Sequence, residues 1–194
     1  MLAGIAIVAA ASLSAQQALS RQDAESLEKK LATIAARGVS PRPKTAAPLR
    51  TSFTERELNS YLKFAAHDTL PVGLVDPQLT LTGHRQFTGR AIVNLDHVRT
   101  SKPRTWLDPA SYLTGSLELK AAGTLATSAG RATLHFDTAS IGGVPIPMSL
   151  LQELVSFYSK TPDLPGGFDL DTPFDLPAAI REVEIQRGSA TIVQ

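Results

Sequence analysis

The feature that most limits how this chain can fold is period-two alternation of apolar and polar residues from residue 79 to residue 137. Leu79 and Leu81 alternate with Thr80 and Thr82. Phe87, Gly89, Ala91, Val93 and Leu95 alternate with Thr88, Arg90, Ile92, Asn94 and Asp96. Leu113, Gly115, Leu117, Leu119, Ala121, Gly123 and Leu125 alternate with Thr114, Ser116, Glu118 and Lys120, and Ala132, Leu134 and Phe136 with Arg131, Thr133, His135 and Asp137. Neighbouring side chains on a strand point to opposite faces, so this pattern predicts antiparallel strands with one apolar and one wet face. The connections at 83–86 and 128–130 suit hairpins.

Helices flank these strands. In Phe53-Thr54-Glu55-Arg56-Glu57-Leu58, Thr54 is placed to cap a helix, with Glu57 three residues on as its reciprocal partner and Phe53 and Leu58 at the staple positions. Phe53, Leu58, Tyr61, Leu62 and Ala65 give one apolar face, which predicts a helix over 54–67. The glycine–proline turn Ile141-Gly142-Gly143-Val144-Pro145-Ile146-Pro147 leads into Met148, Leu151, Leu154, Val155 and Tyr158 at helical spacing. Pro147 is tolerated there because a first-turn N–H needs no partner. Residues 161–177 hold four prolines and two glycines and read as a long loop. Val183 and Ile185, then Ala190 and Ile192, flank Arg187-Gly188 as a closing hairpin or a bulged last strand.

The N-terminal third is organised differently. Residues 2–11 are almost continuously apolar, and Ser12, Leu13, Ser14 and Ala15 are small enough for a cleavage region. The run has the length of a signal-peptide core, although no Lys or Arg precedes it. Residues 1–15 are therefore expected to be a signal peptide or a membrane anchor, with a buried helix as the third reading. Residues 16–36 carry Leu27, Leu31 and Ile34 at i, i+4 and i+7, a thin stripe that suits a helical stalk. Residues 37–50 hold Pro41, Pro43 and Pro48 with basic but no acidic residues, which suits a linker that is solvated or touches anionic headgroups. Residues 51–194 form the folded domain.

The chemistry in the sequence is sparse. There are no cysteines, which removes disulfides, thiol nucleophiles and thiolate metal sites. His67, His84, His97 and His135 show no zinc spacing, and the nucleophile elbow, phosphate loop and dinucleotide fingerprint are all missing. No metal, no cofactor and no catalytic residue is expected. A net charge of +1 gives no global field for nucleic acid. The small residues on the apolar face, Gly89, Ala91, Gly115, Ala121 and Gly123, imply either strong curvature or room for an apolar guest. Trp106, between Lys102, Arg104 and Asp108, either plugs one end of the core or dips into a membrane interface.

Three words, residues 53–62, residues 141–147 and Asp175-Leu176-Pro177-Ala178-Ala179-Ile180, together with the element order, resemble bacterial relatives of the tubular lipid-binding (TULIP-like) proteins, including the LmeA-type phospholipid-binding envelope proteins. Asn59 recurs in the first word. The resemblance spans roughly residues 50–194 and implies an α+β fold: a curved antiparallel sheet wrapped as a half-barrel around one or two helices, preceded by a helical tail. It also implies acyl chains carried in the groove between sheet and helix, with no catalytic motif.

The expected function is non-enzymatic binding or transfer of a phospholipid or another apolar ligand in the bacterial cell envelope, periplasmic or secreted, or anchored through residues 1–15. The expected groove residues are Leu58, Tyr61, Leu62, Leu117, Leu119, Ala121, Gly123, Leu151, Val155 and Tyr158, converging on one interior. Lys102, Arg104 and Trp106 are the expected membrane contacts. The alternative is an assembly module that docks an envelope protein partner through its N-terminal segment.

Overall fold

The computed structural model describes residues 18–39, 47–66, 70, 73–94, 115–160 and 164–194, with only the backbone of Phe157 and Tyr158. The elements run α1 (Arg21–Val39), β1 (Arg50–Thr54), α2 (Glu55–Phe64), β2 (Leu74–Gly83), β3 (Gln86–Asn94), β4 (Ser116–Ser128), β5 (Arg131–Ile141), β6 (Val144–Pro145), α3 (Met148–Tyr158), β7 (Phe174–Asp175), β8 (Glu182–Gln186) and β9 (Ser189–Val193). The fold is α+β. A six-stranded sheet has the order β2-β3-β4-β5-β6, with β7 on β5, and a three-stranded sheet has the order β1-β9-β8. All pairings are antiparallel.

The expected hairpins close on two-residue turns. His84 and Arg85 take φ of 53° and 68°, and Ala129 and Gly130 take 50° and 85°. Positive φ at both central residues matches the right-handed twist of the flanking strands. The strand ending at Gly83 is longer than the alternation predicts. It begins at Leu74 and slips register between Val75 and Gln78, around Asp76 at φ 50° and Pro77. A proline that cannot donate to a ladder hides this segment from sequence patterning.

The alternation on β5 changes phase at Asp137. Ala122 lies opposite Thr138 and Gly123 opposite Phe136, so Asp137 is the extra residue of a bulge. Before it, Ala132, Leu134 and Phe136 face inward. After it, Ala139 and Ile141 do, at 6% and 5% exposure. Without that one-residue insertion, both would turn to solvent.

The Thr54 capping box forms as the sequence predicts. Thr54 Oγ1 accepts the Glu57 N–H at 3.1 Å, and Glu57 Oε2 accepts the Thr54 N–H at 2.8 Å. The helix itself is shorter than 54–67: Thr54 is its N-cap and the last residue of β1, paired along β9, and Ala65 closes its other end after Phe64.

The helix expected over 16–36 runs from Arg21 to Val39 and lies against α2. Ala24, Leu27 and Ile34 are buried, while Leu31 keeps 37% exposure. Ser20 caps it by accepting the Asp23 N–H at 3.1 Å. Arg56 of α2 donates to Asp23 at 2.6 Å, and Gln194 Nε2 donates to the Ile34 carbonyl at 2.8 Å. Leu27 and Ile34 of the expected stripe are thus buried inside the molecule, and Leu31 is not. Of the 37–50 stretch, Arg37 to Val39 continue α1, Arg50 opens β1, and 40–46 lie outside the described residues.

Candidate functional site

α3 packs on the inner face of β4 and β5. Its Leu151 is 2% exposed and forms a buried cluster with Ala139 of β5 and Leu170 of the following loop. Around these lie Leu119 and Ala121 of β4, Leu134 and Phe136 of β5, and Ile146, Val155 and Phe168, all only partly buried. A second cluster, Leu81, Ile185 and Ala190, joins the two sheets, with Phe53, Leu58, Phe87, Leu125 and Val183 packed on it.

The expected groove residues therefore divide. Leu119, Ala121, Leu151 and Val155 meet under α3, whereas Leu58 packs in the other cluster. The single interior expected from the sequence is two, and their boundary falls at Gly123. Phe87 of one cluster and Phe136 of the other meet edge to face across it, ring centres 5.8 Å apart at 84°. A Cβ on Gly123 would collide with the His135 carbonyl oxygen and come within 3.2 Å of Phe87 Cζ. The glycine allows close approach of two backbones and a ring, and the volume beside it is filled. Ala121, paired with Ala139, is the small residue that sits in the half-covered cluster. Tyr61 and Leu62 are half-buried on α2, and Leu117 is half-buried opposite Val93. The Tyr158 side chain and Lys102, Arg104 and Trp106 lie outside the described residues.

Sequence reading missed the contribution of the loop after α3. Phe168 and Leu170 enter the α3 cluster, and Phe168 stacks edge to face on Phe174 at 4.9 Å. Gln152 Nε2 donates to the Phe168 carbonyl at 3.0 Å, and Gln152 Oε1 accepts the Leu170 N–H at 2.7 Å. Ser156 Oγ donates to the same Phe168 carbonyl at 3.0 Å. Gly167 lies so close to α3 that a Cβ there would strike the Ser156 carbonyl. Ser159 Oγ accepts the Phe168 N–H at 2.5 Å, so Gln152, Ser156 and Ser159 at helical spacing, followed by an aromatic-containing loop, were the available signal. On the opposite side Asp171 N–H donates to the Leu134 carbonyl at 3.1 Å, and the Asp171 carboxylate hydrogen-bonds His135 Nδ1. That hydrogen bond, with the charge of Asp171 behind it, holds the exposed His135 imidazole above its ordinary range.

A buried carboxylate links α2 to α1. Glu57 is 8% exposed, and its Oε1 accepts from Ser26 at 2.6 Å and from Lys30 at 2.7 Å. Burial alone raises its carboxyl. The hydrogen bonds from Lys30, Ser26 and the Thr54 backbone, with the Lys30 charge, outweigh that and lower it to about 2. A depression of about 480 Å³ lies between the β2–β3 turn and β8, lined by His84, Arg85 and Arg187 with Glu182 and Glu184. Its charged walls do not suit an acyl chain. Among the described residues, no helix is long and apolar enough to cross a membrane.

Comparison with protein families, with curated proteins and with solved structures found no match to this chain.

Proposed function

We propose that this chain binds a phospholipid or another apolar ligand in the bacterial cell envelope, without catalysis, and holds it against the wall made by α3, β4 and β5. One observation carries this reading. Between α3 and the β4–β5 wall, seven partly exposed apolar residues surround the buried Ala139, Leu151 and Leu170, an apolar lining of the kind an acyl chain needs. A ligand slot requires such a lining with few polar groups at its mouth. The bulges in β2 and β5 bend their strands, which favours a sheet curved around its helices in the manner of the TULIP-like half-barrel. In this reading residues 1–15 direct export or anchor the chain, and Lys102, Arg104 and Trp106 meet the membrane surface. Docking an envelope partner through the N-terminal segment is less favoured, because Ala24, Leu27 and Ile34 of α1 are already buried within this chain.

Ala121→Phe tests the slot. The ring should occupy ligand space, abolishing uptake of a fluorescent phospholipid while the melting temperature stays within a few degrees. A tight core would instead be overpacked, at about 1–3 kcal/mol; that destabilisation, in a protein that takes up no phospholipid before mutation, contradicts the proposal.

A further inference from the structure

We infer that residues 164–173 form a strap that closes the apolar slot between α3 and β5, so that its opening governs ligand entry; this rests on the ligand-binding reading above. The strap reaches both walls. On the α3 side Gln152 holds the Phe168 carbonyl and the Leu170 N–H, and Ser156 holds the same carbonyl. On the β5 side Asp171 is held by the Leu134 carbonyl and by the His135 ring. Between these attachments Phe168 and Leu170 point into the cluster, where they cover the apolar surface that an acyl chain would otherwise contact.

The attachments are of a kind that opens locally. Apart from an isolated bridge at Leu164, the segment belongs to neither helix nor strand until Phe174, so its backbone is satisfied mainly by a few side chains and turn contacts. Segments held this way occupy the low-stability end of a fold's local openings. The downstream end is fixed, because Phe174 and Asp175 pair with Ala132 and Arg131. The strap can therefore swing from that end without disturbing the β4–β5 ladder. Gln152 is the central fastener, since its one amide serves two backbone groups on the strap.

The chain has no cysteine, so a single engineered pair can lock the strap cleanly. In the His135→Cys/Asp171→Cys variant two thiols replace the imidazole and carboxylate that now meet, and a short bis-thiosulfonate reagent bridges the shorter side chains through disulfides that reduction removes, the bridged form being the oxidised one. Uptake of a fluorescent phospholipid from phosphatidylglycerol vesicles should slow by about tenfold or more when the pair is oxidised and recover on reduction. Gln152→Ala should speed uptake. Equal rates for the oxidised and reduced pair overturn the strap. If the unmodified protein takes up no phospholipid, the binding reading fails, and amide exchange decides the strap by itself. The Leu170 and Asp171 amides should then exchange faster than the β4 ladder amides, and faster again in Gln152→Ala. Exchange as slow as the ladder's overturns the strap independently of any lipid.

Discussion

The side-chain amide of Asn59 pairs with the backbone of Leu79 in both directions: Nδ2 donates to the Leu79 carbonyl at 2.7 Å, and Oδ1 accepts the Leu79 N–H at 2.7 Å. β2 is the edge of the six-stranded sheet, and Asn59 completes its ladder in place of a further strand. One turn earlier on α2, Glu55 Oε2 accepts the Leu81 N–H at 2.7 Å. Side chains four apart on a helix thus cover backbone groups two apart on a strand. Asn59→Ala leaves both Leu79 groups without partners, and a loss of about 2–3 kcal/mol is expected from the shift of the urea midpoint. An unchanged midpoint would mean that water replaces the amide without cost.

Glu57 joins the α2 cap to α1. Its carboxyl falls from 4.5 to about 2 on folding, so the stability it contributes is complete above about 4.5 and is lost as pH drops through about 2. Glu57→Gln should be less stable than the parent at pH 7, and the gap should close on acidification toward pH 2. Urea midpoints across that range test this; a gap that stays constant would show that the charge on Glu57 contributes nothing.

Thr54→Ala removes the acceptor for the Glu57 N–H and should cost about 1 kcal/mol. The loss should differ in a Glu57→Ala background, which removes the reciprocal half of the cap that a Gln would keep. Additive losses in a double-mutant cycle would contradict the capping box.

Gly123→Ala should destabilise by about 1–3 kcal/mol, because the new methyl meets the His135 carbonyl and the Phe87 ring. Thermal melting reads this directly, and a neutral result would mean that the β4–β5 bulge adjusts freely.

Much of the fold is legible in local chemistry. The Thr54–Glu57 cap and the alternation of β3 and β4 are each set by neighbours in sequence, and patterning reports them. What patterning misses depends on distant partners. The bulge at Asp137 is visible only once Thr138 is seen opposite Ala122. β1 has almost no apolar alternation of its own and exists because β9 pairs with it. Gly123 reads as unfilled space in sequence, whereas the Phe87 and Phe136 rings occupy that space. The candidate site was half legible. Leu119, Ala121, Leu151 and Val155 do meet under α3, but Leu58 does not join them, and Phe168 and Leu170 come from a loop whose proline and aspartate content marks it only as irregular.

The half-covered cluster under α3 is proposed as the seat of an apolar ligand, and lipid carried by the purified protein tests this most directly. Purify the full chain from bacterial cells, extract it with organic solvent, and analyse the extract by lipid mass spectrometry against the Ala121→Phe variant prepared in parallel. Phospholipid is expected in near-stoichiometric amount with the parent chain, with a large loss in the variant. An extract from the parent that carries no more lipid than the variant's would contradict it.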